Sequence, residues 1–165
     1  MTAPKAITVA LDTMILVWGT KKKGRQELID RALILFRQLD RQKARIVIPS
    51  VVVSEYLSYV RPDDHGNVVA ELSQRFFISP FDVKCARLAA ELWLDGQKRR
   101  KKGMARSRVT LRADVLIVAS AKSHGAKQFW SHDGNCRKLA TKAGMAAYDL
   151  PTTEEYLIDV WGEPA

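Results

Sequence analysis

Ile7-Thr8-Val9-Ala10-Leu11-Asp12-Thr13 is a short apolar run that ends abruptly on a carboxylate. A run of this length and composition is typical of a strand buried on both faces, as in the centre of a parallel sheet. Ligands in open α/β sheets bind outside the carboxyl ends of the strands, so Asp12 follows its strand where chemistry is expected. A carboxylate there is costly to desolvate unless a cation or hydrogen-bond donors meet it.

Strands alternate with helices along the rest of the chain, which predicts a single domain over residues 1–165 with a three-layer α/β/α fold and a mostly parallel sheet. Further strands are predicted at residues 45–48, 77–80, 128–131 and 146–150. Helices are predicted at residues 26–42, 51–60, 68–76, 82–97, 114–123, 136–143 and 154–160, with Ser50 as the N-cap of the second. The spacing of Gly19 and Gly24 resembles a phosphate-binding loop, but Arg25-Gln26 stand where Lys and Ser/Thr are needed, so that motif is rejected.

The composition favours a polyanionic partner. Lys and Arg number 27 against 18 Asp and Glu, which gives a net charge of +9. Nucleic acid fits this balance better than a membrane, since no apolar run of 18 residues and no basic amphipathic anchor is present; a merely solvated basic surface is the alternative. Without a secretory signal pattern, Cys85 and Cys136 are expected to be reduced thiols of a cytoplasmic protein.

Positive charge is concentrated ahead of the predicted helix 114–123. Eight basic residues lie there: Lys98, Arg99, Arg100, Lys101, Lys102, Arg106, Arg108 and Arg112. Phosphate contacts of such residues supply affinity and position but no choice of sequence. The run is therefore a candidate RNA-binding segment, with a solvated charged loop as the alternative.

Three more acidic residues occupy the ends of predicted elements. Glu55 lies in the helix after the second strand, Asp114 opens a nearly all-apolar helix, and Asp133 follows the fourth strand. Each has an ordinary alternative: an exposed Glu, a first-turn Asp that complements the helix dipole, and an Asp that starts the next helix. Together with Asp12 they would repel one another unless a divalent cation neutralised them, and all-oxygen ligation suits Mg²⁺ or Mn²⁺. Such ions activate water and stabilise phosphodiester displacement.

In this order the acidic motifs resemble those of the PIN domain. The motifs are Leu11-Asp12-Thr13, Ser54-Glu55-Tyr56-Leu57, the helix Ala113-Asp114-Val115-Leu116-Ile117-Val118-Ala119-Ser120-Ala121, and Ser131-His132-Asp133. Within that superfamily the chain most resembles the VapC-type toxins, metal-dependent ribonucleases of toxin–antitoxin pairs. The resemblance extends from Thr8 to about Leu150.

The resemblance implies that Asp12, Glu55, Asp114 and Asp133 line a Mg²⁺ or Mn²⁺ site that hydrolyses RNA, supported by Thr13 and Ser131. It also implies a homodimer that an antitoxin protein silences. Two positions depart from the family pattern. Met14 stands where many members carry Asn, and Asn135 stands where many carry a further acidic residue, although its carbonyl can still ligate directly or through water.

Two alternatives to a toxin remain open at this point: a housekeeping RNA-processing PIN nuclease without an antitoxin, and a non-catalytic RNA-binding module. A Ser131-His132-Asp133 triad is rejected, because neighbouring residues of a strand point to opposite faces. The three histidines show no metal-ligand spacing with Cys85 or Cys136. Base stacking by tryptophan is considered, but Trp93 and Trp130 are expected in the core.

Overall fold

The computed structural model describes residues 6–101 and 108–152, with the backbone alone for residues 99–101 and 108–110. Its strands are β1 (Thr8–Leu11), β2 (Arg45–Pro49), β3 (Phe77–Ser79), β4 (Gln128–Trp130) and β5 (Ala146–Tyr148). The helices are α1 (Thr13–Lys21), α2 (Gln26–Arg41), α3 (Ser50–Leu57), α4 (His65–Arg75), α5 (Val83–Lys101), α6 (Arg108–Ser123) and α7 (Gly134–Lys142), with a 3-10 turn at Pro62–Asp64. The strands form one parallel sheet in the order β3-β2-β1-β4-β5, which confirms the predicted three-layer α/β/α fold.

β1 is the central strand of this sheet. It pairs in parallel with β2 on one side and with β4 on the other. Val9, Ala10 and Leu11 have no exposed surface, and neither has Phe129 of β4, which pairs with Ala10. Burial on both faces of the sheet explains why the N-terminal run is apolar without alternation.

The carboxyl ends of β1, β4 and β5 are level with one another. Leu11 is paired with Trp130, and Trp130 with Tyr148. The amide of Asp12 donates to the Trp130 carbonyl at 3.0 Å, and the amide of Ser131 donates to the Tyr148 carbonyl at 3.0 Å. The residues that follow these strands are therefore brought to the same edge of the sheet.

The helix that carries Asp114 begins earlier than the sequence predicted. α6 starts at Arg108, so Asp114 lies beyond the first turn, and its interpretation as a cap of that helix is wrong. Basic residues concealed the start of the helix. Leu111 is 6 % exposed and lies one turn before Val115, which is 2 % exposed, so it already belongs to the buried stripe.

Two other helix boundaries also differ from prediction. The segment after Asp12 is the helix α1, which contains Gly19. A side chain at this position would clash with the ring of Phe36. This Gly permits close packing of α1 on α2 and is not part of a phosphate-binding loop. Ser50 is the first residue of α3, and Pro49, which makes no side-chain capping hydrogen bond, takes the N-cap position predicted for Ser50. The helix ends at Leu57 rather than at Val60.

The helical spacing of Val83, Ala86, Ala90 and Trp93 predicts the apolar face of α5, but a different face is buried. Cys85, Ala89 and Leu92 are buried, while Val83 is 77 % exposed. Ala86, Ala90 and Trp93 instead line a shallow groove of about 280 Å³ between α5 and α6. Small alanines at helical spacing fit either side of a helix, so the pattern did not distinguish the two.

The tryptophans are also distributed differently from prediction. Trp93 and Trp130 are half-buried, and Trp18 of α1 is the one that lies in the core, at 6 % exposure. Trp161, the predicted helix at residues 154–160, Lys102 and Arg106 lie outside the described residues. Across the described ranges, each helix is too short or too polar to cross a bilayer.

Candidate active site at the carboxyl ends of β1 and β4

Asp12 is the centre of a hydrogen-bonded network at this edge. Its Oδ1 accepts the backbone N–H of Thr13 at 2.7 Å, which makes it the N-cap of α1. Its Oδ2 accepts the hydroxyl of Ser131 at 2.6 Å, across to the end of β4. Both oxygens are thus fixed by donors, and such charge-assisted bonds orient a half-buried carboxylate strongly.

Ser131 connects Asp12 to Asp133. The Ser131 hydroxyl, which is fully buried, accepts the Asp133 amide at 3.1 Å while it donates to Asp12. Asp133 is exposed and is the N-cap of α7, where its Oδ1 accepts the amides of Asn135 at 2.7 Å and Cys136 at 3.2 Å. The prediction that Asp133 helps to start the next helix is confirmed, and this role places it beside the predicted site.

Thr13 connects the same network to Glu55. Its hydroxyl, on a residue that is 5 % exposed, donates a short hydrogen bond to Glu55 Oε2. α1 and α3 pack against each other. A second hydrogen bond between these helices joins the hydroxyls of Thr20 and Tyr56 at 2.8 Å. Glu55 is therefore half-buried and engaged, and the interpretation as an ordinary exposed Glu is wrong.

Asp114 lies half-buried in α6. That helix packs against α3, which carries Glu55, and against α7, which Asp133 caps. Asn135 is exposed, and its backbone amide is engaged by Asp133. Of the basic run, Lys98 and Arg112 have exposed side chains, and Arg112 lies over the ring of Trp93 at 5.5 Å. The side chains of Arg99, Arg100, Lys101 and Arg108 lie outside the described ones.

A second polar cluster, made of Asp149, His132 and Arg137, lies beside the site at the end of β5 and was not predicted from the sequence. Asp149 Oδ1 lies 2.9 Å from Nδ1 of His132, and Arg137 lies 3.5 Å from Asp149 and donates to the Ser131 carbonyl at 2.7 Å. The ring of His132 meets Trp18 edge-on at 5.7 Å. His132 thus faces Asp149 while the Ser131 hydroxyl faces Asp12, which confirms that no triad forms here.

Asp149 follows a strand, as Asp12 and Asp133 do. The same criterion, an acidic residue just after a strand, would therefore have identified Asp149 in the sequence. Burial acts to raise its pKa, but hydrogen bonds from His132 and the Leu150 amide, together with the charges of His132 and Arg137, outweigh burial. The net effect lowers the pKa of Asp149 below its ordinary value of 3.8.

This shift predicts a loss of stability in acid. Because the folded protein holds Asp149 ionised more strongly than the unfolded chain does, its contribution is fully present above pH 3.8 and is lost as the pH falls through the lower folded pKa. Asp149→Asn should lower the free energy of unfolding at neutral pH by no more than about 1 kcal/mol, since the pair is partly solvated. In urea denaturation, the difference from the parent should be constant above about pH 4 and should shrink as the pH falls below 3.8. Asp63→Asn, on an exposed turn, is the control; an Asp149→Asn deficit independent of pH would contradict the prediction.

The donor set of the network fits a hard divalent cation. Carboxylate and hydroxyl oxygens of Asp12, Glu55, Asp133 and Ser131 are the groups that Mg²⁺ and Mn²⁺ prefer. In the part of the chain that the structure describes, these carboxylates do not form a group whose ligand atoms all lie within 4.8 Å of one another. Mg²⁺ commonly binds through one or two carboxylates and keeps several waters, so this spacing suits partly water-mediated ligation.

Comparison with known proteins identifies the family and the fold of this chain. A model of the PIN domain family matches residues 9–142. VapBC2 from Rickettsia felis, solved bound to a DNA fragment from its promoter, has 18% identity and a TM-score of 0.60 over 88% of this chain and 100% of that chain. DNA-bound VapBC from Salmonella typhimurium has 17% identity and a TM-score of 0.57 over 88% and 99% of the two chains. VapBC-1 from nontypeable Haemophilus influenzae has 15% identity and a TM-score of 0.62 over 87% and 98%.

At these identities the solved structures show a shared fold. The search of curated proteins gives no match. The family model nevertheless covers well over half of the sequence, including most of β1, all of β4 and every residue of the Asp12 network. This chain therefore belongs to the PIN domain family.

Proposed function

We propose that this protein is a Mg²⁺- or Mn²⁺-dependent endoribonuclease of the VapC type. The observation that carries the proposal is the network from Glu55 through Thr13, Asp12 and Ser131 to Asp133, at the carboxyl ends of β1 and β4 of a PIN fold. Ligands of open parallel sheets bind at this edge, beside the central strand. The carboxylates there supply the negative charge that a divalent ion requires.

The residues of the network have distinct roles in this proposal. Asp12 is a metal ligand whose orientation is fixed in advance by Ser131 and the Thr13 amide. Asp114 and Asp133 ligate directly or through water, and Glu55, held by the Thr13 hydroxyl, completes the metal shell or orients the attacking water. Asn135, at the second residue of α7, adds a neutral oxygen. A ligand held in place loses little conformational freedom on binding.

A bound ion would activate water and stabilise charge on the phosphodiester oxygens. Glu55 is placed to accept a proton from that water, because it lies near the network and is engaged by only a neutral hydroxyl in the contacts described above. The basic run would hold RNA phosphates. Lys98 and Arg112, both exposed, lie at the facing ends of α5 and α6 and represent this surface in the described chain.

The toxin assignment rests on the solved VapBC complexes of the same fold. By analogy, this chain would act in the cytoplasm as a single-domain homodimer and be silenced by an antitoxin protein that covers the carboxylates. The net charge of +9 suits an RNA substrate. A housekeeping PIN nuclease would show the same chemistry without an antitoxin.

The proposal predicts metal-dependent cleavage of RNA. Purified protein, free of any antitoxin, is incubated with a mixed panel of RNAs in Mg²⁺, in Mn²⁺ and in EDTA. The parent protein is expected to cleave RNA in Mg²⁺ and in Mn²⁺. Cleavage should be absent in EDTA, which removes the ion, and in Asp114→Asn, which removes a ligand. Asp40→Asn, an exposed carboxylate on α2, is the matched control and should cut like the parent.

Two outcomes would overturn the proposal. Absence of cutting by folded parent protein in every lane would favour the non-catalytic RNA-binding module. Cutting that survives both EDTA and Asp114→Asn would show a contaminant or a site elsewhere.

A further inference from the structure

Asp82, Cys85 and His124 come together at the far side of β3 from the Asp12 network. Their ligand atoms all lie within 4.8 Å of one another. Cys85 is fully buried in the first turn of α5, and Asp82 directly precedes that helix. His124 follows the last residue of α6 and has 17 % of its side chain exposed. The sequence shows no metal-ligand spacing between the histidines and the cysteines, because it is the fold that brings His124 to Cys85.

We propose that Asp82, Cys85 and His124 form a binding site for a thiophilic divalent cation, with Zn²⁺ as the best match. Thiolate, imidazole and carboxylate are the three ligand types that Zn²⁺ takes from proteins, and the Asp82-x-x-Cys85 spacing is that of a helical turn. This site does not depend on the proposed nuclease function. Its ligands are softer than the all-oxygen set around Asp12, so the two sites would select different ions.

The distances suit tetrahedral ligation after a small adjustment. Asp82 Oδ2 and His124 Nε2 are 3.9 Å apart. Nitrogen and oxygen ligands at about 2.0–2.1 Å from a tetrahedral zinc ion are separated by roughly 3.3 Å, so the two side chains need to close by about half an ångström. Asp82 is already oriented, because its Oδ1 accepts the Cys85 amide at 3.0 Å.

The Pro80 carbonyl oxygen lies among the three ligands. It is 2.9 Å from His124 Nε2 and 3.7 Å from Cys85 Sγ, so it now accepts a hydrogen bond from each. Ion binding would release the thiol proton of Cys85 to solvent and move the remaining imidazole proton of His124 to Nδ1. The carbonyl then loses both donors and becomes available as a fourth, oxygen ligand.

Access and burial also fit an ion. The Asp82 side chain is 42 % exposed and provides an entry path, while Phe77 packs 6.2 Å from the His124 ring and shields the other side. An ion here would tie the turn between β3 and α5 to the end of α6.

The test is a Co²⁺ titration of the reduced, EDTA-treated full chain. Cobalt bound by a thiolate gives a charge-transfer band in the near ultraviolet, whereas carboxylate ligands give none. The band is expected in the parent and to saturate at one ion per chain, and Zn²⁺ should displace it. It should be absent in Cys85→Ser and present in Cys136→Ser, the other buried cysteine.

Milder variants keep the test decisive if Cys85→Ser fails to fold. Asp82→Asn preserves the helix cap, and His124→Gln changes a partly exposed residue; each should weaken Co²⁺ binding at least about tenfold. Zn²⁺ should also raise the melting temperature of the parent more than that of either variant. Absence of the band in the parent, or its persistence in folded Cys85→Ser, would overturn the site. Asp12→Asn should leave the band unchanged, so a failure of the nuclease proposal is distinguishable from a failure of this one.

Discussion

Replacing Asp12 with Asn should lower Mg²⁺-dependent RNA cleavage at least about a hundredfold while the protein stays folded. A bound metal ion stabilises the transition state by several kcal/mol, and each 1.4 kcal/mol of stabilisation that is lost lowers the rate about tenfold. Asn caps helices about as well as Asp, so its carbonyl can still accept the Thr13 amide. Ser131 can reverse its hydroxyl and accept from the new amide group. The variant therefore removes charge and little else.

The measurement is the initial rate of cleavage of one RNA at saturating Mg²⁺, with circular dichroism to verify the fold. Asp63→Asn is the matched control, since it makes the same change on the exposed 3-10 turn. Raising Mg²⁺ should restore part of the Asp12→Asn activity if the loss is mainly in metal affinity. Activity above about a tenth of the parent, with Asp63→Asn unchanged, would place the catalytic metal elsewhere.

Replacing Leu35 with Ala should lower the free energy of unfolding by about 2–5 kcal/mol, because it opens a cavity in the hydrophobic core. Leu35 has no exposed surface and lies in the middle of α2, which packs on α1. A loss of that size is a large fraction of the stability of an ordinary domain. Equilibrium urea denaturation followed by circular dichroism measures it.

Leu94→Ala provides the comparison for the same chemical change. Leu94 is 61 % exposed in α5, and Ala has the higher helix propensity, so the expected change is within about 0.5 kcal/mol. Equal losses in the two variants would mean that α2 does not pack on the core as described.

The fold was predictable because its strands are short apolar runs bounded by turns or helices. β1 and β4 were located to within a residue, and the parallel orientation of the strands followed from the helices between them. Helix starts were harder to predict. α6 begins in the basic run, where charged residues surround the buried Leu111, and α1 contains Gly19, which in the sequence suggests a turn.

The site was predictable where a residue follows a strand, as Asp12 and Asp133 do, because the sheet brings those ends together. Contacts between side chains of different helices were harder to predict from the sequence. Nothing in the spacing of Thr13 and Glu55, or of Cys85 and His124, shows that they touch, since α1 packs on α3 and α5 on α6 through contacts far apart in sequence. Which face of α5 is buried was undetermined for the same reason.

The strand order has a consequence for the timing of assembly. β4 pairs with β1 and not with β3, so the central strand gains its second neighbour from a segment more than a hundred residues later in the chain. The Asp12–Ser131 hydrogen bond spans 119 residues. Chains emerge from the ribosome N-terminus first, and distant pairings form slowly. During synthesis β1, β2 and β3 can associate while Asp12 still lacks Ser131 and Asp133. Under the proposed function, the metal site would therefore stay incomplete until synthesis has reached Ser131, 119 residues after Asp12.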